Sequence, residues 1–235
     1  MRPCRTLLSA ALAALLIPTA LFAETPSMEA KVDKLDGTIM VEHVDDAGQK
    51  QEIALQTLGV VAKGDIVTVY DKSWVILKTP KGDRIGFLGP AVVAFDELYK
   101  GGPDRQIRLL IKSGRCYIQS KNSGSRQSFF EVQTGGLVST LGRAKCQFDY
   151  NPTANQVEIR SFGGAIKTTD NDGDHKYYLE SRRDWDKGNL AQRDPQPLPD
   201  NSTLEFKTFF SGDQDLYNRI VAANQAALNG TGSPE

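Results

Sequence analysis

The sequence predicts an all-β domain closed by a C-terminal helix, and three observations predict it. Apolar residues recur at every second position through most of the chain, as in "EVQTGGLVSTLGRAKCQFDY", which is the period of a strand with one face on a core. These runs are short, rich in Val, Ile, Phe and Tyr, and broken by Gly, Asp, Asn or Pro about every eight to twelve residues, as in sandwiches and barrels. Convincing helical spacing is confined to the stretch near the end, "DLYNRIVAANQAALNG".

The chain opens with "MRPCRTLLSAALAALLIPTALFAETPS". Arg2 and Arg5 precede a short, Ala-rich apolar run, the layout of a secretory signal peptide over residues 1–23. Cleavage is expected between Ala23 and Glu24, which makes the protein an exported one; a retained membrane anchor is the alternative. No later segment is apolar for long enough to span a bilayer, so the mature chain is expected to have no transmembrane segment. Loss of Arg2 and Arg5 leaves 26 basic against 29 acidic residues, with no block of either sign. That balance excludes a nucleic-acid partner, whose affinity needs clustered cations.

The strand signals then run in order: "GTIMVEHV", "QEIALQ", "GDIVTVYDKSWVILKT", "DRIGFLG", "AVVAFDELY", "RQIRLLIKS", "CYIQS", "SFFEVQT", "GGLVSTL", "QVEIRSF" and "GAIKTT". "TPKGDR" and "NPTANQ" read as hairpin turns. Gly135-Gly136 and Gly163-Gly164 fall at corners between strands. These strands define a β domain over residues 30–169. Residues 170–235 hold a last strand, "HKYYLES", a polar connector with prolines, and the helix, capped by Ser211 or Asp213. Leu216, Ile220 and Ala223 form its apolar stripe.

Export leaves two cysteines, Cys116 and Cys146. By alternation both point inward: Cys116 shares a face with Ile118, and Cys146 with Ala144, Phe148 and Tyr150, while Arg143, Lys145, Gln147 and Asp149 take the other face. In an oxidising compartment the pair is a disulfide candidate. The bridge would close a loop worth about 3.6 kcal/mol in the chain-entropy picture. The alternative is two buried thiols acting as small apolar groups.

The order of motifs resembles a FecR-like domain. "KGDIVTVYDKSWVILKTPKGDRIGFLGPAVVAFDELY" matches a G-D-x-(I/L)-x-T element followed by a strand, Gly and Pro. "LLIKSGRCYIQS" matches L-x-x-G before a strand, and "FFEVQTGGLVSTLGRAKCQFDYNPTANQVEIRSFGGAIKTT" matches the closing series of strands. Two positions depart from the pattern: Gly135 stands where Pro is usual, and Arg143 where Thr is usual. The resemblance implies a roll- or solenoid-like periplasmic module that contacts other proteins. FecR proteins of the best-known kind relay a signal to a cytoplasmic sigma factor. A cytoplasmic region ahead of the apolar run is not expected for this chain, so only the binding role is expected to carry over. The resemblance brings no catalytic residues.

His43 and His175 lack metal-ligand spacing, and no G-x-S-x-G elbow occurs. Asp65 and Asp83 are a carboxylate pair of the type glycoside hydrolysis uses, if folding brings them close. "TTDNDGDHKYYLE" aligned on a calcium loop puts Thr168 and Leu179 where carboxylates are needed, which favours a plain turn. A non-catalytic protein-interaction module without cofactor or metal is therefore expected, its partner an unidentified envelope protein engaged in signalling or assembly. Binding of cell-wall glycan or another polysaccharide is the second expectation, with Trp74 and Tyr117 as its candidate exposed aromatics. An envelope hydrolase ranks third.

Overall fold

The computed structural model describes residues 28–45, 47–101, 104–121, 128–170, 176–179, 183–187, 196–198 and 202–228. The chain is an all-β domain with C-terminal helices, as its alternation predicts. The first strands are β1 (Ala30–Asp36), β2 (Ile39–Val44) and β3 (Lys50–Ala54), followed by a single helical turn, α1 (Leu55–Leu58), which ends at Gly59 in the left-handed conformation. β4 (Val60–Val61), β5 (Ile66–Val69) and β6 (Trp74–Lys78) follow. Next come two long strands, β7 (Arg84–Gly101) and β8 (Asp104–Gln119), then β9 (Phe129–Thr134), β10 (Leu137–Leu141), β11 (Lys145–Asn151), β12 (Gln156–Gly163) and β13 (Ile166–Asp170). β14 (Lys176–Leu179), β15 (Arg183–Lys187) and β16 (Gln196–Pro197) complete the sheet, and α2 (Ser202–Ser211) and α3 (Gln214–Leu228) complete the chain.

The long pair β7–β8 is the spine of a rolled sheet. Where the sequence shows two signals, "DRIGFLG" and "AVVAFDELY", one strand runs through a bend, and the same holds for "RQIRLLIKS" and "CYIQS". The bend lies at Gly89-Pro90, joined by a cis peptide, and at Gly114 on the facing strand. Gly114 has φ +84°, and a Cβ there would sit 2.2 Å from the Pro90 carbonyl oxygen, so only glycine lets the two backbones meet at the corner. One half of the spine pairs with β5 and, in parallel, with β9. The other half pairs with β6 and β11. Two wings result: β3-β2-β5 and β9-β10-β13-β14 flank the first half, and β4-β1-β6 and β11-β12-β15-β16 flank the second. They close on one core that joins Ile39, Val67 and Phe130 of the first wing to Val75, Cys116 and Phe148 of the second.

The turns form where their residues demand. In "TPKGDR" the Thr79 amide donates to Asp83 O, and the Gly82 amide to Thr79 O. In "NPTANQ" the Asn151 side-chain oxygen accepts the Thr153 and Ala154 amides, a local cap on the chain reversal. Gly135-Gly136 joins β9 to β10 with positive φ at both residues, the two-residue hairpin geometry that glycine favours.

The centre of the second wing, around β6, is buried on both faces. Along β6, Val75 and Leu77 join the inner core, while Trp74 and Ile76 face a second cluster with Tyr117, Phe206 and Phe209. α2 supplies that cover through Phe206, Phe209 and Phe210 at helical spacing, and α3 adds Tyr217, with Val221 packed against the cluster. The sequence points to one helix with a stripe through Leu216 and Ala223; the structure has two, and the buried stripe runs through Tyr217 and Ile220, with Ala223 exposed. Asp213 caps α3 by accepting the Leu216 amide at 3.0 Å, and Ser211 accepts the Asp213 amide at 3.2 Å. Among the described residues no helix is long and apolar enough to cross a membrane.

Candidate functional site

The register fixes the two cysteines. Cys116 lies opposite Phe148, and Cys146 opposite Ile118, so the cysteines are diagonal neighbours on the inner face of adjacent strands. The bridge expected from the sequence is not formed: both are free, fully buried thiols. Diagonal residues on paired strands stand about 7–8 Å apart at Cα, beyond the range of about 4.4–6.8 Å that a disulfide needs. The Cys146 thiol instead faces the Ile118 carbonyl at 3.8 Å. Burial pushes both thiols up, and for Cys116 the neighbouring Cys146 adds to the effect. They are inert packing groups. The cleavage position, Ala23–Glu24, and His175 lie outside the described residues.

Asp65 and Asp83 are not brought together. Asp65 precedes β5, whose Ile66 pairs with Ala94 on the first half of β7, whereas Asp83 precedes the opposite end of that strand. Each is fully buried and holds its own turn. Asp65 accepts the Ala62 amide at 2.8 Å and meets His43 Nδ1 at 2.7 Å. Asp83 accepts the Thr79 hydroxyl at 3.0 Å and the Lys121 amide at 2.7 Å. Thr168 and Leu179, the ends of the calcium-loop alignment, are strand residues of the β13–β14 hairpin, and residues 171–175 between the strands lie outside the described residues. Trp74 is 8% exposed and Tyr117 0%. Neither offers a ring face to a sugar; both belong to the cluster beneath α2 and α3.

That cluster contains the densest polar network on the second wing. The Tyr117 hydroxyl donates to Glu205 Oε1 at 3.0 Å and shares a 2.5 Å hydrogen bond with the Tyr217 hydroxyl. Arg115 pairs with Asp149 at 2.7 Å, and Arg160 pairs with Glu158. Burial, then Tyr217 and Glu205, hold the Tyr117 phenol well above its usual range. Tyr117, Glu205 and Tyr217 at its centre are buried and tie α2 and α3 to the sheet, while the Arg115–Asp149 pair at its margin is 24% and 28% exposed.

The open site lies at the edge of this cover. On the outer face one cross-strand row reads Arg84, Gln119, Lys145, Gly163 on β7, β8, β11 and β12. Two adjoining cavities, of about 350 and 300 Å³, sit on it and share Gln119 and Lys145. Lys121, Arg143 and Gly164 wall the first; Arg84, Lys207 and Phe210 wall the second. Five cations line this groove, and among the described residues none of its lining is Asp, Glu, His or Cys. Arg84 is engaged: it donates to Asp33 at 3.0 Å and to the Phe210 carbonyl at 2.9 Å, with its guanidinium over the Phe210 ring. Lys121, Arg143, Lys145 and Lys207 make no ion pair among the described residues. Sequence reasoning placed Arg143 and Lys145 on the outward face but did not single them out, because Lys121 and Lys207 join them only through folding. Among the described residues no group of His, Cys, Asp and Glu is arranged to hold a metal.

No protein-family profile matches the chain, and no curated protein matches it. Solved structures that show a likeness include two crystal structures of a protein from Parabacteroides distasonis described provisionally as an anti-sigma factor. The first shares 10% identity at a TM-score of 0.49 and the second 9% at 0.49; each alignment covers 61% of this chain and 64% of the other. The alignment thus spans less than two thirds of the length of those chains.

Proposed function

We propose that this chain is an exported, non-catalytic protein-interaction module that works in envelope signalling or assembly. The observation that carries this reading is the groove on the outer face of the second wing: a concave, cation-lined surface on a doubly buried sheet. Rigid walls of this kind suit binding, because little order has to be gained when a partner docks. The motif order that resembles a FecR-like domain supports the same class, and the apolar N-terminal run supports export. A glycan-binding role would need exposed aromatic faces, and the two residues expected to supply them, Trp74 and Tyr117, are buried.

A photo-crosslinking residue at position 121, with a control at position 50 on the far edge strand β3, tests this reading in living cells. A discrete envelope protein captured from position 121 and not from position 50 is the expected result. Recovery of the chain in the cytoplasm, or no partner from any exposed position, would overturn it.

A further inference from the structure

We propose that the groove between α2 and the ends of β8, β11 and β12 takes an extended acidic peptide segment of the partner; this rests on the interaction-module reading. The charge argument comes first. The whole chain has a net charge of -1, so a run of cations with no carboxylate among the described lining residues is a local arrangement rather than a general property. The nearby carboxylates are already engaged. Asp83 is fully buried and accepts from Thr79 and the Lys121 amide. Asp33 pairs with Arg84, and Glu205 is buried against Tyr117. Lys121, Arg143, Lys145 and Lys207 therefore present charge outward with no protein counter-ion among the described residues. Such a surface attracts carboxylates and sets both encounter rate and specificity.

Shape narrows the ligand. The row Arg84, Gln119, Lys145, Gly163 crosses four neighbouring strands, a span of about 14 Å at the usual strand spacing. An extended segment of about four residues covers that length. Lys145 lies in the middle of the row and lines both cavities, so it meets such a segment wherever its carboxylates fall. The rings nearby are closed to stacking: Phe162, Phe206 and Phe210 are at most 5% exposed. A nucleobase or neutral sugar that binds by stacking would need those faces, whereas aspartate and glutamate side chains need only the cations.

The test uses the protein purified from its host and a fluorescein-labelled octapeptide of alternating Glu and Thr, read by fluorescence anisotropy. Comparators are the Gln-Thr octapeptide, tetragalacturonate and inorganic pyrophosphate. The Glu-Thr peptide should bind, the Gln-Thr peptide should not, and raising salt from 50 to 300 mM should weaken binding at least tenfold. Lys145→Glu and the more exposed Lys121→Glu should each weaken it at least tenfold, with an unchanged thermal midpoint showing that the fold is intact. Glu52→Gln, on β3, should leave binding unchanged. Binding of tetragalacturonate or pyrophosphate tighter than the peptide overturns the peptide assignment, as does peptide binding indifferent to both lysine reversals. If the peptide fails while position 121 still captures a protein in cells, the acidic class is wrong and the module reading stands. If both fail, the module reading falls as well.

Discussion

The contact between Gly86 and Phe209 is the sharpest test of how the C-terminal helices are seated. Gly86 lies on the outer face of β7, opposite Tyr117. A Cβ placed there would stand 2.2 Å from Phe209 Cε1 and 2.8 Å from Cζ, well inside van der Waals contact. The ring has little room to retreat. It stacks on Tyr117 at 4.2 Å between centroids and meets Phe210 at 5.4 Å and Tyr217 at 5.6 Å. Gly86→Ala is therefore an overpacking change, and it should destabilise the protein by about 1–3 kcal/mol. Phe209→Ala, at a residue 2% exposed, should cost about 3–5 kcal/mol. Together the two changes should cost clearly less than their sum. With the ring gone, the new methyl has space, and alanine in a strand restricts the unfolded chain more than glycine by about 0.4–1 kcal/mol. The coupling should therefore be about 2 kcal/mol or more in favour of the double variant. Urea unfolding of the four proteins measures it. Additivity within about 0.5 kcal/mol, or a neutral Gly86→Ala, would refute the seating of α2 on β7.

Further outcomes follow from the buried groups. Ellman titration should find no reactive thiol in the native protein, since Cys116 and Cys146 are fully buried. After unfolding it should find two in the cleaved chain, or three if Cys4 is retained; a count of zero would restore the bridge. Stability should fall in alkali: Tyr117, Cys116 and Cys146 are all raised in the folded state. The unfolded chain therefore releases protons above about pH 8.5 for the thiols and about pH 10 for the phenol that the native state retains. The stabilisation is full below those values and shrinks as pH rises through them; a urea midpoint flat from pH 8 to 11 would contradict it. Asp65→Ala removes the acceptor of the Ala62 amide and the partner of His43 and should cost about 1–3 kcal/mol, read from the same midpoint.

The strands were legible because their alternation is local. Each inward set, such as Cys146 and Phe148 against Gln147, can be read without knowing the neighbours. What alternation does not carry is register. Whether Cys146 faces Cys116 or Ile118 depends on the register between β8 and β11, strands that β9 and β10 separate along the chain, and a shift of two residues separates a bridge from two free thiols. The long strands β7 and β8 were read as two pieces each because Gly89-Pro90 and Gly114 look like breaks; in the fold they are a bend within one pairing. α2 escaped notice since its Phe206, Phe209 and Phe210 sit beside polar residues in a segment that opens with a proline-rich connector. Arg143 is the instructive case. It was visible as a departure from the FecR-like pattern, yet its meaning depended on Lys121, Lys145 and Lys207 arriving from other elements.

The groove is a consequence of how the second wing is covered. "WVIL" at the heart of β6 is a continuous apolar run, all four residues buried, and such a run needs an apolar cover on each face. The inner core supplies one. The other comes from α2, 10 residues long and so about 15 Å in length, with α3 beside it. Beneath these helices lies the row Gly86, Tyr117, Gln147, Arg160, in which the last three are at most 8% exposed. One row further along, at Arg84, Gln119, Lys145 and Gly163, the cover stops short and the face opens. An apolar row there would be an exposed patch and an aggregation liability. Instead the sequence places long cationic side chains at the border, with aliphatic stems that shield the apolar floor and charged ends that stay in water. The same substitution that keeps the unroofed row soluble creates a surface with one sign of charge. Solubility alone would be met equally well by a mixture of signs. The lack of a carboxylate among the described lining residues is the feature that solubility leaves unexplained, and the proposed acidic partner would account for it.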